Sequence, residues 1–311
     1  MPKLPYLADV PLTAEVRYAS PAEAWGTKEP LSYTDEAASG GLCPVPGGPR
    51  LNFARRARPK GGMLVYIFAV AIGCFCLEKL LPGWRLPAVR TWPTRVVLVN
   101  LVQLSVVLLA GVTWERWLSA RSIFELSQHV SPLAGGLIAY FIATFVFYWW
   151  HRWRHEVDFL WRGFHQIHHS PQRIEVITSF YKHPGEMIVN SLIGSVLVYT
   201  ILGLSLEAGA IYTACTALGE FFYHTNVRTP RWIGYVFQRP EMHRIHHQHG
   251  RHKNNYGDIV WWDMLFGTYE NPREFLFTCG FDDAREQRLL DMLLYRDVHT
   301  DQNQSGSAAG Q

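Results

Sequence analysis

The sequence predicts an all-α protein built from multi-pass membrane helices and a histidine-rich helical region. Hydrophobic residues make up 48% of the 311 residues and are concentrated in long runs, whereas both ends of the chain are polar. Twelve of the 14 histidines lie between His151 and His252, many at spacings that share one helix face. The first pattern indicates a membrane and the second a metal site. The net charge of +3 identifies no partner, and no nucleic-acid partner is expected.

Three apolar runs precede the histidines. A bilayer core of about 30 Å needs about 20 helical residues, and residues 131–150 supply such a run without a charged side chain. Residues 96–114 form a second run with few strongly polar groups. Residues 63–77 form a shorter run that ends at charged residues. We expect this third run either to cross the membrane with a tilt or to lie partly in the interface.

A fourth apolar stretch, residues 187–222, separates the two halves of the histidine region. The sequence GLSLEAG at 203–209 interrupts it with Gly203, Glu207 and Gly209, which predicts a helical hairpin or a shallower re-entrant pair. Either arrangement returns the chain to the side from which it entered. Arginine and lysine are frequent beside both halves, so the positive-inside tendency places both at the cytoplasmic face.

The two ends of the chain are predicted to lie outside the folded domain. Residues 1–60 lack apolar periodicity and are expected to form a loosely ordered arm, residues 61–298 a membrane domain, and residues 299–311 a disordered tail. The basic stretch RRARPK at 55–60 favours a cytoplasmic amino terminus, which conflicts with three full crossings before the first histidines. We therefore expect the segment at 63–77 not to cross fully.

The histidines occur in three spaced groups. One pair is four residues apart, and the triplets HQIHH and HRIHH both have the spacing i, i+3 and i+4, so the members of each group share a helix face. Imidazole is a common ligand of Zn, Cu, Fe and Ni. Eight ligands exceed the needs of one tetrahedral or octahedral ion, so they predict a pair of metals. These eight are His151, His155, His165, His168, His169, His243, His246 and His247.

A pair of metals needs further ligands, and two other histidines are candidates. They are His183 in KHPGE and His224 in FYHTN. Glu220, one helical turn before His224, is a candidate ligand or hydrogen-bond acceptor. The alternative for the three groups is a solvated histidine-rich loop. The remaining histidines are expected to be ordinary surface, core or solvated residues: His129, His249, His252 and His299.

Seven short motifs follow one another between residues 148 and 269. They are YWWHRWRH (148–155), LWRGFHQIHHS (160–170), KHP (182–184), FYHTN (222–226), PEMHRIHH (240–247), NYGD (255–258) and WWDMLFGTY (261–269). In this order the set resembles the fatty acid hydroxylase and sterol desaturase superfamily of integral membrane di-iron enzymes. The complete set is far more specific than any single histidine triplet.

The resemblance implies a helical membrane base and a cytoplasmic histidine-rich helical cap that holds a dinuclear iron site. The family's ligands fall on the eight histidines of the three groups, with His183 and His224 as the remainder. Many relatives have two histidines in the FYHTN region, whereas this chain has Tyr223 at one of those positions. Tyr223 is then a candidate residue of the substrate channel. The NYGD and WWDMLFGTY motifs are expected to pack beneath the cap.

The resemblance also implies O₂-dependent hydroxylation or desaturation of an unactivated C–H bond in a lipid, either sterol-like or fatty-acyl. The sequence contains no GxGxxG dinucleotide motif and no cysteine set for an iron–sulfur cluster. Two electrons would therefore come from a separate ferredoxin or cytochrome b5-like protein with its reductase. The second ring nitrogens of the imidazoles need acceptors, for which Glu156, Asp158, Glu175 and Glu186 are candidates.

Three other functions remain open on the sequence. A metal transporter would place its histidines within the apolar helices, but here they follow the predicted helix ends. A zinc-dependent hydrolase would need fewer ligands and an open site. A catalytically silent metal-binding membrane protein would not need both triplets, and both are intact in this chain.

Overall fold

The computed structural model describes residues 62–120 and 122–299. The predicted arm at 1–60 and the predicted tail beyond residue 299 lie outside this part of the chain, so the predicted domain boundaries stay predictions. Every regular element in the described ranges is a helix, and extended pairing there is limited to two isolated β-bridges. The predicted all-α class is confirmed.

The helices range from long apolar elements to single turns. Within the described residues the α-helices are α1 (Gly62–Leu80), α2 (Trp92–Val112), α3 (Trp114–Leu118), α4 (Pro132–Glu156), α5 (Asp158–Leu160), α6 (Gln166–His169), α7 (Pro184–Ser195), α8 (Leu206–His224), α9 (Pro240–His246), α10 (Trp261–Phe266), α11 (Asp283–Glu286) and α12 (Leu289–Leu293). Two π-helical segments, Trp161–His165 and Val196–Ile201, adjoin α6 and α7. Such segments are frequent at functional sites, and the first of them carries a predicted ligand.

Three helical segments are long and apolar enough to cross a membrane. Within the described residues they are Trp92–Leu118, Pro132–Glu156 and Pro184–Ile201. Many of their outward-facing leucine, valine and phenylalanine side chains are exposed, as expected for faces that contact lipid. The apolar runs predicted at 96–114 and 131–150 lie in the first two segments, and the shorter run at 63–77 forms most of α1.

A hairpin between α7 and α8 reverses the chain. Gly203 lies in the connection with a φ of +62°, and a Cβ at this position would lie 2.7 Å from the backbone nitrogen of Glu125. Both the left-handed conformation and the close approach therefore require glycine. The break predicted at 203–209 is confirmed, although Gly209 lies inside α8 rather than in the turn.

The carboxyl-terminal segments pack onto the histidine-bearing helices. A buried core joins Trp92 of α2 to Tyr181 and Phe281. An ion pair of 2.6 Å between the buried side chains of Arg95 and Glu286 joins α2 to α11. The same core contains Ile167 of α6, so it joins this histidine-bearing helix to α2.

Candidate metal centre

Five histidines form one compact group of imidazoles, the five-histidine cluster. His151 and His155 lie four residues apart on α4, His165 ends the π-helical turn, His169 ends α6 and His246 ends α9. One ring nitrogen from each lies within 4.8 Å of those of the other four. The Nε2 atoms of His151 and His165 are 3.0 Å apart. Residues from three separate parts of the sequence therefore meet at one point.

Four other histidines form a buried second group, the four-histidine cluster. It contains His168 of α6, His224 at the end of α8, His243 of α9 and His247 directly after α9. Their Nε2 atoms follow one another, with 3.4 Å between His168 and His224, 2.9 Å between His224 and His243, and 3.0 Å between His243 and His247. The clusters adjoin, because the stacked rings of His169 and His247 have centroids 4.1 Å apart.

Each histidine triplet contributes to both clusters. In HQIHH the residues at i and i+4 join the five-histidine cluster, and His168 at i+3 joins the other. In HRIHH the arrangement is reversed, because the residues at i and i+4 join the four-histidine cluster and His246 at i+3 joins the other. Successive positions on an α-helix differ by about 100° in direction, so one short helix can direct imidazoles to two centres.

Backbone carbonyls orient several of the imidazoles. In each of these contacts a histidine Nδ1 donates a hydrogen bond to a carbonyl oxygen. Because that oxygen can only accept, Nδ1 carries the proton and Nε2 presents a lone pair. The donors and acceptors are His151 to Tyr256 (2.8 Å), His168 to Tyr181 (3.3 Å), His224 to Glu220 (2.8 Å) and His246 to Asn254 (2.7 Å).

Lone pairs face one another inside the four-histidine cluster. The Nε2 atoms of His168 and His224 are 3.4 Å apart, although each ring already holds its proton on Nδ1, so no hydrogen bond can join them. A cation bound between them removes this repulsion. Nitrogen ligands at about 2.1 Å from one ion lie about 3 to 3.4 Å from each other, which matches the observed spacing. The donor set therefore fits a metal ion.

Unpaired buried nitrogens indicate that the five-histidine cluster also fits a metal ion. The Nε2 atoms of His155, His169 and His246 are buried without a hydrogen-bond partner among the described residues. Burying an unpaired polar atom costs about 1–3 kcal/mol, which a metal bond removes. Burial lowers the pKa of His246 to about 3 and lowers the pKa of His165 and of His169 well below the usual value. These rings are neutral at pH 7, as coordination requires.

Two charged side chains lie behind His165. Its Nδ1 is 3.0 Å from the guanidinium of Arg154 and 3.4 Å from the carboxylate of Glu186, and these two residues form a buried ion pair. Glu186 is one of the four acidic residues predicted as acceptors. Two of the others, Glu156 and Glu175, instead pair with arginines. A charged pair therefore supports this histidine.

Two predicted candidates lie outside both clusters. His183 caps α7, where its Nδ1 accepts a hydrogen bond of 2.9 Å from the backbone N–H of Gly185. Glu220 pairs with Lys182 at 2.5 Å, and its backbone carbonyl accepts the hydrogen bond from the ring of His224. Neither the ring of His183 nor the carboxylate of Glu220 belongs to either cluster.

One histidine that the sequence pattern assigned to solvent reaches the site. Nδ1 of His252 is 3.1 Å from Nδ1 of His169, and the rings of Trp161 and Phe281 lie beside it. The backbone of His252 has a φ of +43°, which is uncommon for a residue other than glycine. Its position depends on the path of a loop, so no spacing rule could have identified it.

The NYGD and WWDMLFGTY motifs support the five-histidine cluster. The carbonyl of Tyr256 accepts from His151, and the side chain of Asp263 accepts from the backbone N–H groups of Tyr256 (2.8 Å) and Gly257 (2.9 Å). Burial raises the pKa of Asp263 to about 7 despite these hydrogen bonds. The predicted packing of the two motifs thus takes the form of hydrogen bonds that hold a carbonyl against a candidate ligand.

A cavity of about 160 Å³ adjoins both clusters. His151 and His165 line it from the five-histidine cluster, and His168 and His243 line it from the four-histidine cluster. Tyr223, the predicted channel residue, is also part of its wall. A molecule in this cavity faces both clusters at once.

Comparison with known proteins relates this arrangement to a family. Residues 136–268 match the fatty acid hydroxylase family model. The chain is similar to alkylglycerol monooxygenase of Homo sapiens (31% identical over 44% of this chain and 31% of the relative) and ornithine lipid hydroxylase OlsE of Rhizobium tropici (37%, over 42% and 40%). It is also similar to sphingolipid C4-hydroxylase sur2 of Schizosaccharomyces pombe (27%, over 43% and 48%). The aligned part spans less than half the length of these relatives. No solved structure matches the chain.

Proposed function

We propose, from the confirmed resemblance of residues 136–268 to the fatty acid hydroxylase and sterol desaturase superfamily, that this chain is an integral membrane di-iron oxygenase. It would use O₂ to hydroxylate or desaturate an unactivated C–H bond of a lipid. The names of its relatives include a monooxygenase and hydroxylases of lipids. The observation that carries the proposal is a pair of imidazole clusters bordering one cavity.

We assign one iron to each cluster. Five imidazoles with one open position, or four with two, suit an octahedral ion, whereas nine exceed the needs of a tetrahedral zinc site. When bound, the two irons would supply the redox chemistry that activates O₂, which side chains alone cannot provide. The first would be held by His151, His155, His165, His169 and His246, and the second by His168, His224, His243 and His247.

The chain's own residues position the ligands and the substrate. Hydrogen bonds from Nδ1 to backbone carbonyls hold four of the nine rings in one tautomer and one direction, and loss of such a partner typically costs about 10–100-fold in metal affinity. Phe147, Phe180 and Met187 supply apolar walls of the cavity, which suit the hydrocarbon part of a lipid. The cavity therefore brings a C–H bond close to both clusters.

We also propose that both clusters face the cytoplasm and receive two electrons from a separate ferredoxin or cytochrome b5-like protein with its reductase. Because the α7–α8 hairpin returns the chain, it supports placing both histidine triplets on the same side of the membrane. The basic residues near each triplet support the cytoplasmic side. A cysteine placed at the exposed position Lys253, beside the second triplet, tests the orientation. It should react with a membrane-impermeant thiol reagent in inverted vesicles and not in intact cells.

A zinc-dependent hydrolase is the second candidate function. The four-histidine cluster alone has the ligand number of a tetrahedral zinc site, and this observation favours it. However, a hydrolase needs an open position for water, and it has no use for a second cluster of five imidazoles beside the first. The di-iron oxygenase accounts for both clusters.

Metal content and oxygen chemistry together test the proposed function. Protein purified anaerobically in mild detergent should contain about two irons per chain with a Mössbauer spectrum of a coupled pair, because nine ligands form two clusters. With ¹⁸O₂ and a chemical reductant, a total lipid extract should gain one labelled oxygen or lose two hydrogens.

The matched control is His249→Ala, which removes a histidine outside both clusters. It should keep both the iron and the product, whereas His168→Ala should lose both. Tight zinc binding, with no oxygen-dependent product after iron reconstitution, would favour the hydrolase.

A further inference from the structure

One short loop lies behind most of the five-histidine cluster. Residues 251–256, the bracing loop, come just after HRIHH and reach into the NYGD motif. At every second position of this loop a backbone group hydrogen-bonds to an imidazole of the cluster. The pairs are His155 with His252, His246 with Asn254 (2.7 Å) and His151 with Tyr256 (2.8 Å). Three of the five imidazoles therefore depend on the path of one loop.

The side chain of His252 contacts a fourth imidazole of the cluster. Its Nδ1 lies 3.1 Å from Nδ1 of His169, whose Nε2 is buried without a partner among the described residues. A metal bond at Nε2 of His169 requires a lone pair there, so Nδ1 carries the proton and donates a hydrogen bond to His252. The rings of Trp161 and Phe281, with centroids 5.7 and 5.4 Å away, hold the ring of His252 in this place.

The backbone of the bracing loop has an uncommon conformation. The φ angles of His252, Asn254 and Asn255 are +43°, +70° and +50°, in the left-handed region that residues other than glycine seldom occupy. Such residues persist only where the surrounding contacts fix them. The neighbours of the loop therefore determine the direction of the groups that it presents to the imidazoles.

Glu270 anchors the bracing loop through both its side chain and its backbone. Its carboxylate forms an ion pair of 2.5 Å with Arg251 and accepts a hydrogen bond of 3.0 Å from the side chain of Asn254. Its backbone N–H donates to Oδ1 of Asn255 (2.8 Å), and its carbonyl accepts from Nδ2 of the same side chain (2.9 Å). Glu270 belongs to neither cluster, so it can act on a metal only through the loop.

The four-histidine cluster is supported from elsewhere. Among the described residues, no hydrogen bond joins the bracing loop to a ring of this cluster, and its two carbonyl acceptors belong to Tyr181 and Glu220. These residues lie on other segments, before and within α8. A change in the bracing loop should therefore reach only one of the two centres.

We infer that the bracing loop is the positioning element of the five-histidine metal site, with His252 as its positioning residue and Glu270 as its anchor. The loop holds four of the five imidazoles in the direction that a metal needs, and it thereby sets the affinity of that one centre. His252 acts through His169 and is not itself a ligand. The inference rests on a metal in the five-histidine cluster, as in the proposed function, but not on iron or on oxygen chemistry.

Metal titration of the full chain tests the role of His252. Protein stripped of metal in nanodiscs is titrated anaerobically with Co²⁺, whose visible absorption follows binding without any turnover. The binding step that His155→Ala abolishes is the five-histidine step. His252→Phe keeps an aromatic ring between Trp161 and Phe281 but removes the acceptor, and it should weaken that step about 10–100-fold. The other step should not change.

His252→Asn is the matched variant that keeps the acceptor. Its side-chain oxygen can take the place of Nδ1 and asparagine tolerates a positive φ, so its five-histidine step should stay within about threefold of the wild type. Equal loss of affinity in His252→Asn and His252→Phe would show that only packing matters and would overturn the inference. Wild-type affinity in His252→Phe, or equal weakening of both steps, would overturn it as well.

Glu270→Gln tests the anchor without changing any imidazole. It removes the charge that pairs with Arg251 and should weaken the five-histidine step about three- to tenfold. The control is Glu274→Gln, which changes an exposed carboxylate nearby in the sequence and should leave both steps unchanged. This measurement also decides the matter if His252→Phe does not fold. Weakening of both steps by Glu270→Gln, or of neither, would contradict the inference.

A parallel assay with ¹⁸O₂ and a total lipid extract separates the inference from the proposed function. Selective weakening of the five-histidine step by His252→Phe and Glu270→Gln, in a chain that gives no oxygen-dependent product, would support the bracing loop and contradict the oxygenase. An oxygen-dependent product together with unchanged metal affinity in both variants would overturn the bracing loop and leave the oxygenase intact.

Discussion

The two histidine clusters use the same triplets but differ in what the long helices add. HQIHH gives two imidazoles to the five-histidine cluster and one to the four-histidine cluster. HRIHH gives one imidazole to the five-histidine cluster and two to the four-histidine cluster. The triplets therefore contribute three ligands to each cluster. α4 adds two more to the first, and α8 adds only His224 to the second. The difference in the number of imidazoles comes from the membrane helices, so in the proposed di-iron centre these helices would determine how open each metal is to O₂ and substrate.

The clusters also differ in what supports their rings. In the five-histidine cluster, His165 contacts the buried Arg154–Glu186 pair and His169 contacts the ring of His252. In the four-histidine cluster, two rings are held by backbone carbonyls, and Nδ1 of His243 and of His247 is buried without a partner among the described residues. Side-chain substitutions behind the rings should therefore affect mainly the metal proposed for the five-histidine cluster.

The largest expected effect comes from splitting a triplet. His246→Ala should remove the iron of the five-histidine cluster, and His243→Ala that of the other cluster, although the residues are three positions apart on α9. Each variant should retain about one iron and lose product formation by more than about 100-fold, because a ligand matters more than its supporting contacts. Elemental analysis and Mössbauer spectra of the remaining iron would measure this. Identical spectra for the two variants would contradict the crosswise division.

A smaller effect is expected behind His165. Glu186→Gln removes the carboxylate beside its Nδ1 and should weaken one of two iron-binding steps about 10–100-fold, leaving the other step unchanged. The control is Glu156→Gln, which breaks a more exposed pair with Arg152 and should change neither step. Anaerobic iron titration followed by absorbance resolves the two steps. Equal weakening of both steps would show that the clusters are not supported independently.

The smallest effect is expected at His183. His183→Ala removes the cap of α7 and should lower the free energy of unfolding by about 1 kcal/mol, without loss of iron. Thermal unfolding in detergent and elemental analysis measure the two quantities. A loss of one iron would show that His183 moves into a cluster when the metals bind.

Spacing rules predict which histidines cluster but not their division between the two clusters. The two i, i+3, i+4 triplets and the i, i+4 pair identify eight of the nine clustered histidines, and FYHTN adds His224, because helical periodicity is a local property. The division depends on how α6 and α9 are oriented relative to each other, which only long-range packing determines. The acceptors of Nδ1 were predicted as carboxylates, whereas several are backbone carbonyls, which no residue type marks. The position of His252 depends on a loop with an uncommon φ and was missed for the same reason.

For the membrane segments too, local features follow from the sequence and long-range contacts do not. The apolar runs and the break at Gly203 follow directly from composition and are present in the structure. The sequence does not predict that Lys182 of KHP and Asp258 of NYGD line one cavity, because the two residues lie more than 70 positions apart. Their proximity is a property of the hairpin that brings α8 back beside α4.

The crosswise sharing of the triplets has a consequence for the order of assembly. In the proposed di-iron centre each metal would need ligands from both sides of the α7–α8 hairpin, so a nascent chain that has not yet produced HRIHH would offer no complete site. On that proposal, membrane insertion and docking of α9 would come before stable metal uptake. Retention of both ions would then require that these distant segments of the chain have met in the finished fold.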